Sequence, residues 1–349
     1  MPSNSLFQRA GLSFLALLSG QAISLFIAGT STFTEYLSSH TPAVTVPLLL
    51  SSVTYVLLSF HIVYRYYNDG KMWKPLKVVW WKYALLAVVD LQANYLVIRA
   101  YMFTSMASVA LLDAFSIPCC VVMSYFFLNV RYTKQHLVGV LLCAAGVALS
   151  FISDLFSKKE PTSTAPLDNA LWGDCLVLLS GFLYALSNIM QETIVKTMDR
   201  VEYLGMLGFF GAIFAWLQML SLHPEELDGK NFFPGSFLLM AGFSLCLFAM
   251  YVTTSIFLTF ADSALFNMSL LTADFYVAII FIFLFDGNIT SLYVVAFVLI
   301  GCGLIVYGKE PISGANKPID ADDDAGPVSK ALLHNNEGCE KHDIEGPLG

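Results

Sequence analysis

Long apolar runs, broken at short polar intervals, dominate the chain. A membrane span needs about 20 mainly apolar residues. Ten stretches meet that length, roughly 11–37, 43–64, 79–102, 106–128, 135–154, 170–196, 203–222, 235–258, 262–285 and 289–308. The connecting loops are too short for a separate domain, the longest being 65–78, 155–169 and 223–234. The pattern therefore predicts an all-α integral membrane protein with ten transmembrane helices, segments 1 to 10 in chain order. Residues 1–10 form a short N-terminal segment carrying only Arg9. The apolar run behind them is too long for a signal-peptide core and is read as the first span. Beyond residue 308 the periodicity stops. Residues 309–349 are rich in Gly, Pro, Asn, Asp and Lys, the composition of a disordered tail.

Composition strengthens this reading. Hydrophobic residues make up 57% of the 349 and charged residues 13%, against roughly 45–50% and about 25% in soluble domains. Mean hydropathy is +0.68. One water-soluble core cannot absorb that excess, whereas lipid can. The net charge of −8 owes much to the tail, with Asp320, Asp322, Asp323 and Asp324, so the membrane part is close to neutral. No basic face suggests nucleic acid. Cys119, Cys120, Cys143, Cys175, Cys246 and Cys302 lie in or beside apolar runs, and Cys339 lies in the tail. None forms a CxxC or Cys/His cluster, so they are read as small apolar residues. No metal site or cofactor is expected. A phosphate-binding GxxxxGK[ST] loop and the HExxH, GxSxG and kinase signatures are all missing, and the polar groups are dispersed over membrane depth. The chain is therefore read as a passage for a solute and not as an enzyme.

Orientation follows from Lys and Arg in the loops. With a cytoplasmic N-terminus, the inner loops carry Arg65, Lys71, Lys74, Lys77, Lys82, Arg131, Lys134, Lys196 and Arg200, and the outer loops carry Lys158, Lys159 and Lys230. Both termini are expected in the cytoplasm. Trp80 and Trp81 beside Lys82 form an interfacial anchor pattern. A faint repeat also shows. A shift of 155 residues places Ser108 on Ser263, Phe126 on Phe281 and Gly146 on Gly301, and a shift of 161 places Ser19-Gly20 on Ser180-Gly181. Segments 1–5 thus resemble segments 6–10, as repeats 11–154 and 170–308 of one domain, 11–308. Because five is odd, the second copy is inverted, a plan that places the substrate at the repeat interface.

Ionisable groups inside a span are costly and mark candidate sites. Segment 3 carries Asp90 and Asn94 on one face, with Arg99 further out on another. Segment 4 carries Asp113, followed by Pro118, which is expected to bend the helix. Segment 6 carries Tyr184, Asn188, Gln191 and Glu192 as one stripe. Segment 9 carries Ser263, Asn267 and Asp274 as another, and segment 1 carries Gln21 and Glu35. Asn94, Asp113, Asn188, Glu192, Asn267 and Asp274 are the expected substrate-binding set. Glu35, Asp90, Arg99, Tyr184 and Gln191 are secondary candidates. Bland readings stand beside these. Glu35 can sit at the water boundary, and Arg99 can snorkel outward or pair with Asp113. Asp90 and Asp274 can serve only as structural hydrogen-bond groups. His61 and His136 read as interfacial, and Gln218 as interhelical glue. Tyr95, Tyr101, Phe103, Phe115 and Tyr276 are candidates to stack on a planar solute. Gly139, Cys143 and Gly146 on segment 5, Gly205, Gly208 and Gly211 on segment 7, and Gly301 and Gly303 on segment 10 predict close helix packing. Segments 1, 3, 4, 6 and 9 are expected to wall the cavity, and 5, 7 and 10 to pack.

Several motifs occur together in order: Trp80-Trp81-Lys82-Tyr83, Ala93-Asn94-Tyr95-Leu96-Val97, SVALLDAFSIP from Ser108 to Pro118, Arg131-Tyr132, Arg200 to Met206, and Ser269-Leu270-Leu271-Thr272-Ala273-Asp274. On these the chain resembles the F subfamily of solute carrier family 35, within the drug/metabolite transporter superfamily, over about residues 11–308. The resemblance implies two inverted five-helix repeats, cytoplasmic termini and alternating access around a central cavity. It implies transport of a small polar organic solute, nucleoside- or nucleobase-like, across the plasma membrane or a Golgi-type endomembrane. Membrane lipid is a partner, and a coupled proton and a homodimer are further partners that such a carrier admits. A nucleotide-sugar antiporter of endomembranes and a non-transporting membrane scaffold or receptor are the alternatives. The chain departs from the subfamily at Gln191-Glu192, where two acids are usual. It departs again at Leu258 to Asp262, where lysines are usual.

Overall fold

The apolar runs fold as helices. The computed structural model describes residues 3–39, 46–69, 80–128, 133–156, 167–229, 235–260, 263–286 and 290–307. The helices are α1 (Ser3–Ser39), α2 (Pro47–Asp69), α3 (Trp80–Ala100), α4 (Met106–Asp113), α5 (Ser116–Leu128), α6 (Lys134–Phe156), α7 (Leu167–Thr197), α8 (Arg200–Leu222), α9 (Ser236–Phe260), α10 (Ser263–Leu284) and α11 (Ser291–Tyr307), with a 3-10 turn at Pro224–Leu227. Among the described residues there is no strand, and six helices are long and apolar enough to cross a membrane: Pro47–Tyr67, Trp80–Ala100, Met106–Phe126, Leu171–Thr197, Arg200–Leu222 and Ser236–Thr259. Lys134–Leu149, Thr272–Leu284 and Ser291–Tyr307 are shorter apolar helices. α1 starts at Ser3 and not at residue 11. The tail 309–349 lies outside the described residues.

Large apolar side chains point outward as well as inward. Phe283 is 81% exposed, Phe237 79% and Leu238 75%. Such a surface is unfavourable in water and is matched by lipid. Lipid offers no hydrogen bonds, so hydroxyls inside the spans turn back on their own helices. Ser24 donates to the Gly20 carbonyl at 2.9 Å and Thr34 to that of Thr30 at 2.8 Å. Trp80 and Trp81 are exposed at the start of α3, and Lys82 Nζ lies 5.7 Å from the Trp81 ring.

Where helices touch, glycine sets the distance. α6 packs along α11 and α2 along α8. An added Cβ on Gly139 would lie 2.6 Å from the Gly303 carbonyl oxygen, and one on Gly303 would lie 2.6 Å from that of Gly139. Gly146 meets Ala296 and Ile300 on the same seam. On the second seam Gly205 meets Ile62, Gly208 meets Ser59 and Tyr55, and Gly211 meets the Tyr55 ring. Gly139, Gly146, Gly205, Gly208 and Gly303 therefore pack closely against backbone of the facing helix, and Gly211 against the Tyr55 ring.

Ionic contacts fasten the helix ends. Arg65 on α2 bonds Asp199 at 3.0 Å and Glu202 at 3.2 Å. Asp199 also caps α8, accepting from the backbone N–H groups of Val201 and Glu202, and the Tyr83 hydroxyl donates to Glu202 at 2.8 Å. At the opposite end of α2, Glu226 Oε2 accepts from the N–H groups of Leu48 and Leu49, each at 3.0 Å. These are orphan donors of a helix start, where negative charge is favoured.

The seams and the cap each yield a test. Gly139→Leu and Gly303→Leu should each lower the melting temperature in detergent, overpacking costing about 1–3 kcal/mol. Gly229→Ala, where an added Cβ meets nothing within 4 Å, should not; equal melting of all three would dissolve the backbone-contact account. Burial pushes the Glu226 carboxyl up from its ordinary 4.5 to about 7, outweighing the two backbone hydrogen bonds that pull it down. Between those values the folded protein holds a proton that the unfolded chain releases. Stability is therefore higher at the acid side and falls as pH rises through 7. Melting curves across this window should show that decline, and Glu226→Gln should flatten it.

Candidate functional site

Asp90 lies buried in the middle of α3, and an isolated carboxylate there would be expensive. Three other helices supply its partners. Tyr55 of α2 donates to Oδ2 at 2.8 Å, and Tyr251 of α9 makes a short hydrogen bond to the same oxygen. From α7, Ser187 donates to Oδ1 at 2.9 Å and Gln191 at 3.5 Å. Asn94, one turn along α3, donates to the Tyr251 hydroxyl at 3.0 Å and accepts from the Tyr184 hydroxyl at 3.0 Å. Nearby, Ser180 donates to the Ala93 carbonyl at 2.9 Å. Every member of this network is donor or acceptor to another, the condition under which a buried polar cluster stabilises.

The network forms one wall of a cavity of about 140 Å³. Its lining comes from α1 (Ile27, Thr30, Ser31, Thr34), α3 (Asp90, Asn94, Val97, Ile98), α4 (Val109, Ala110, Asp113), the start of α5 (Ser116), α7 (Tyr184, Asn188, Gln191), α9 (Phe243, Leu247, Met250, Tyr251, Thr254) and α10 (Phe266, Asp274, Val277), with Tyr101 from the connection after α3. A void of about 150 Å³ takes one benzene-sized ring, so the space here suits a single small ring with polar substituents.

The facing wall depends on a broken helix. α4 ends at Asp113, Ala114 and Phe115 form a turn, and α5 begins at Ser116. Pro118 has no N–H to offer the Ala114 carbonyl four residues earlier. Ile117 takes that carbonyl instead, at 3.1 Å, and Phe115 bonds Leu112 at 3.0 Å. The break thus falls one turn before the proline, and leaves Asp113 at a helix end against the cavity. α7 approaches closely because residue 181 is glycine: a Cβ there would lie 3.3 Å from the Ser116 nitrogen and 3.6 Å from the Asp113 carbonyl oxygen. Asp113 Oδ1 is buried without a hydrogen-bond partner. Asp274 on α10 lines the same space, within electrostatic reach of Asp113.

Of the residues expected to bind substrate, Asn94, Asp113, Asn188 and Asp274 line this cavity, as do Asp90, Tyr184 and Gln191 from the secondary set. Glu192 does not; it pairs with Lys196 one turn along α7 at 2.5 Å. The side chain of Asn267 lies outside the described residues. Glu35 is half-buried near the C-terminal end of α1, within electrostatic reach of Tyr101 but off the lining. Arg99 makes no ion pair with Asp113 among the described residues and lies instead within reach of Tyr95, Glu225 and Glu226. Of the five aromatic candidates, Tyr101 lines the cavity. Tyr276 donates to Gln21 at 2.9 Å and Tyr95 contacts His223 at 3.1 Å. Gln218 bonds Gln92 at 2.6 Å, the expected interhelical glue.

Sequence reasoning missed Tyr55, Ser187 and the whole of α9. A signal existed for Tyr251 alone: a tyrosine near the middle of an otherwise apolar run needs a hydroxyl partner. Nothing separated Tyr55 from the chain's other tyrosines.

Comparison with known proteins places this architecture. Residues 10–309 match the family described as Solute carrier family 35 (SLC35F). Solute carrier family 35 member F2 of Mus musculus is 35% identical over 303 residues, covering 86% of this chain and 80% of its own. An uncharacterized solute carrier family 35 member of Schizosaccharomyces pombe is 31% identical over 293 residues, covering 82% of this chain and 56% of its own. A solved crystal structure shares the fold with a TM-score of 0.58 at 17% identity, over 84% of this chain and 96% of that one. With a family match spanning nearly all the helices and a polar cavity among them, the chain belongs to solute carrier family 35, as a multi-pass membrane transporter.

Proposed function

We propose that this chain carries a small polar organic solute, nucleoside- or nucleobase-like, through the cavity by alternating access. The observation that carries the reading is the convergence of polar side chains from α1, α3, α4, α7, α9 and α10 on one space of single-ring size. Asn94, Asn188 and Tyr184 offer hydrogen bonds to a planar heterocycle, and Asp113 and Asp274 bind polar groups of the solute or a coupled proton. Both termini face the cytoplasm, and the membrane is the plasma membrane or a Golgi-type endomembrane.

In this reading α4 and α5 count as one span, and ten spans form two inverted repeats. The helix packing supports it. Exchange each span with the one five places away. The pair α1–α9 becomes α7–α3, and both pack. The pair α1–α10 becomes α7 against α4 and α5, and both pack. The pair α3–α8 becomes α9–α2, again both packed, while α2–α8, α6–α11 and α4–α10 map onto themselves. A pseudo-two-fold axis through the cavity generates this pattern, and rocking of one repeat against the other opens such a cavity to alternate sides.

Uptake by cells with and without the protein, screened over nucleosides, bases and nucleotide sugars, should reveal flux of a nucleoside- or nucleobase-like solute, with the single-ring bases favoured by the size of the cavity. No flux for any compound would remove the carrier reading in favour of a scaffold or receptor. With that solute in hand, Asp274→Asn should cut flux about tenfold, the equivalent of about 1.4 kcal/mol. Glu192→Gln, off the lining and paired with Lys196, should stay within about twofold of wild type. Equal flux in wild type and a well-folded Asp274→Asn would take that carboxylate out of the mechanism.

A further inference from the structure

We infer that the cavity selects a positively charged solute, an ammonium or amidinium group seated between Asp113 and Asp274. The inference deepens the carrier reading and rests on it for the word solute.

Among the described residues, three acidic side chains line the cavity, Asp90, Asp113 and Asp274, and no Lys, Arg or His does. They are not equivalent. Asp90 is saturated by Tyr55, Tyr251, Ser187 and Gln191. Asp113 Oδ1 is buried without a hydrogen-bond partner, and Asp274 feels its charge. Neither forms an ion pair among the described residues. Two neighbouring carboxylates with no counter-charge are strongly disfavoured in a low-dielectric site. A proton or a cation from outside relieves that cost, and the seat is assigned here to the cation.

A further feature acts in the same sense. Tyr101 and Tyr184 also line the space, and tyrosine faces attract ammonium groups. The same field repels phosphate and carboxylate, so a phosphate-bearing solute is excluded from this wall.

Three near-isosteric single-ring compounds separate the charge states: tyramine (cation), tyrosol (neutral) and 4-hydroxyphenylacetate (anion). Binding to the full-length purified protein in detergent is read by thermal shift and competition. Tyramine should bind about tenfold or more tightly than the anion. Asp113→Asn and Asp274→Asn should each erase most of that preference, weakening tyramine by a larger factor than tyrosol. Should either variant fail to fold, the wild-type charge ranking decides alone. Equal binding of the three compounds, a preference for the anion, or binding of none overturns the inference. Anionic or neutral solutes carried alongside such a result would leave the carrier standing and remove only the cation seat. Charge-selective binding with no flux of any solute would do the reverse.

Discussion

The interior of a bilayer offers no water to a stranded charge, and the arrangement around Asp90 answers that constraint. One carboxylate buried in α3 draws hydroxyls from α2 and α9 and a hydroxyl and amide from α7. Satisfying it therefore orders four helices at once. Directional bonds of this kind specify a single register where apolar side chains, packing as well against lipid as against each other, cannot. The cavity then lies beside the network, bounded by side chains whose positions the network has set.

Packing at the periphery follows a different rule. Along α6–α11 and α2–α8, glycines face backbone, small residues or, at Gly211, the Tyr55 ring, and the helices approach closely. Dispersion between close surfaces contributes along both seams, and Arg65 with Asp199 and Glu202 adds an ionic contact at one end of α2–α8. The molecule thus divides its cohesion: hydrogen bonds beside the cavity, and small-residue contact away from it. Under the proposed inverted repeats, the seams α2–α8 and α6–α11 are also the pairs that map onto themselves.

Much of this was legible in the sequence because lipid makes polar residues conspicuous. Asp90 with Asn94, Tyr184 with Asn188 and Gln191, and Asp274 each stand out against apolar neighbours at helical spacing, and all reach one cavity. The glycine seams were legible for the same reason, by their spacing. Other features needed three dimensions. Tyr55 and Tyr251 read as two aromatics among 16 tyrosines, and only helix assembly brings them to Asp90. Glu192 read as part of a stripe although Lys196 stood four residues away, and the local pair won. Arg99 and Asp113 are close in sequence, but the chain turns at residues 101–105 between them, and Arg99 faces the turn at Pro224–Leu227. The bend attributed to Pro118 occurs at Ala114–Phe115, because a proline disrupts the bond to the residue four places before it.

Gly181 gives that break a close neighbour. The backbone at Asp113 and Ser116 lies against α7 at a residue with no side chain, where an added Cβ would come within 3.3 Å of the Ser116 nitrogen. α7 carries Tyr184, Asn188 and Gln191 on the turns beyond it, so the helix that presents these groups to the cavity is also the one that meets the backbone beside Asp113. Two walls of the cavity that belong to different halves of the chain share this one contact.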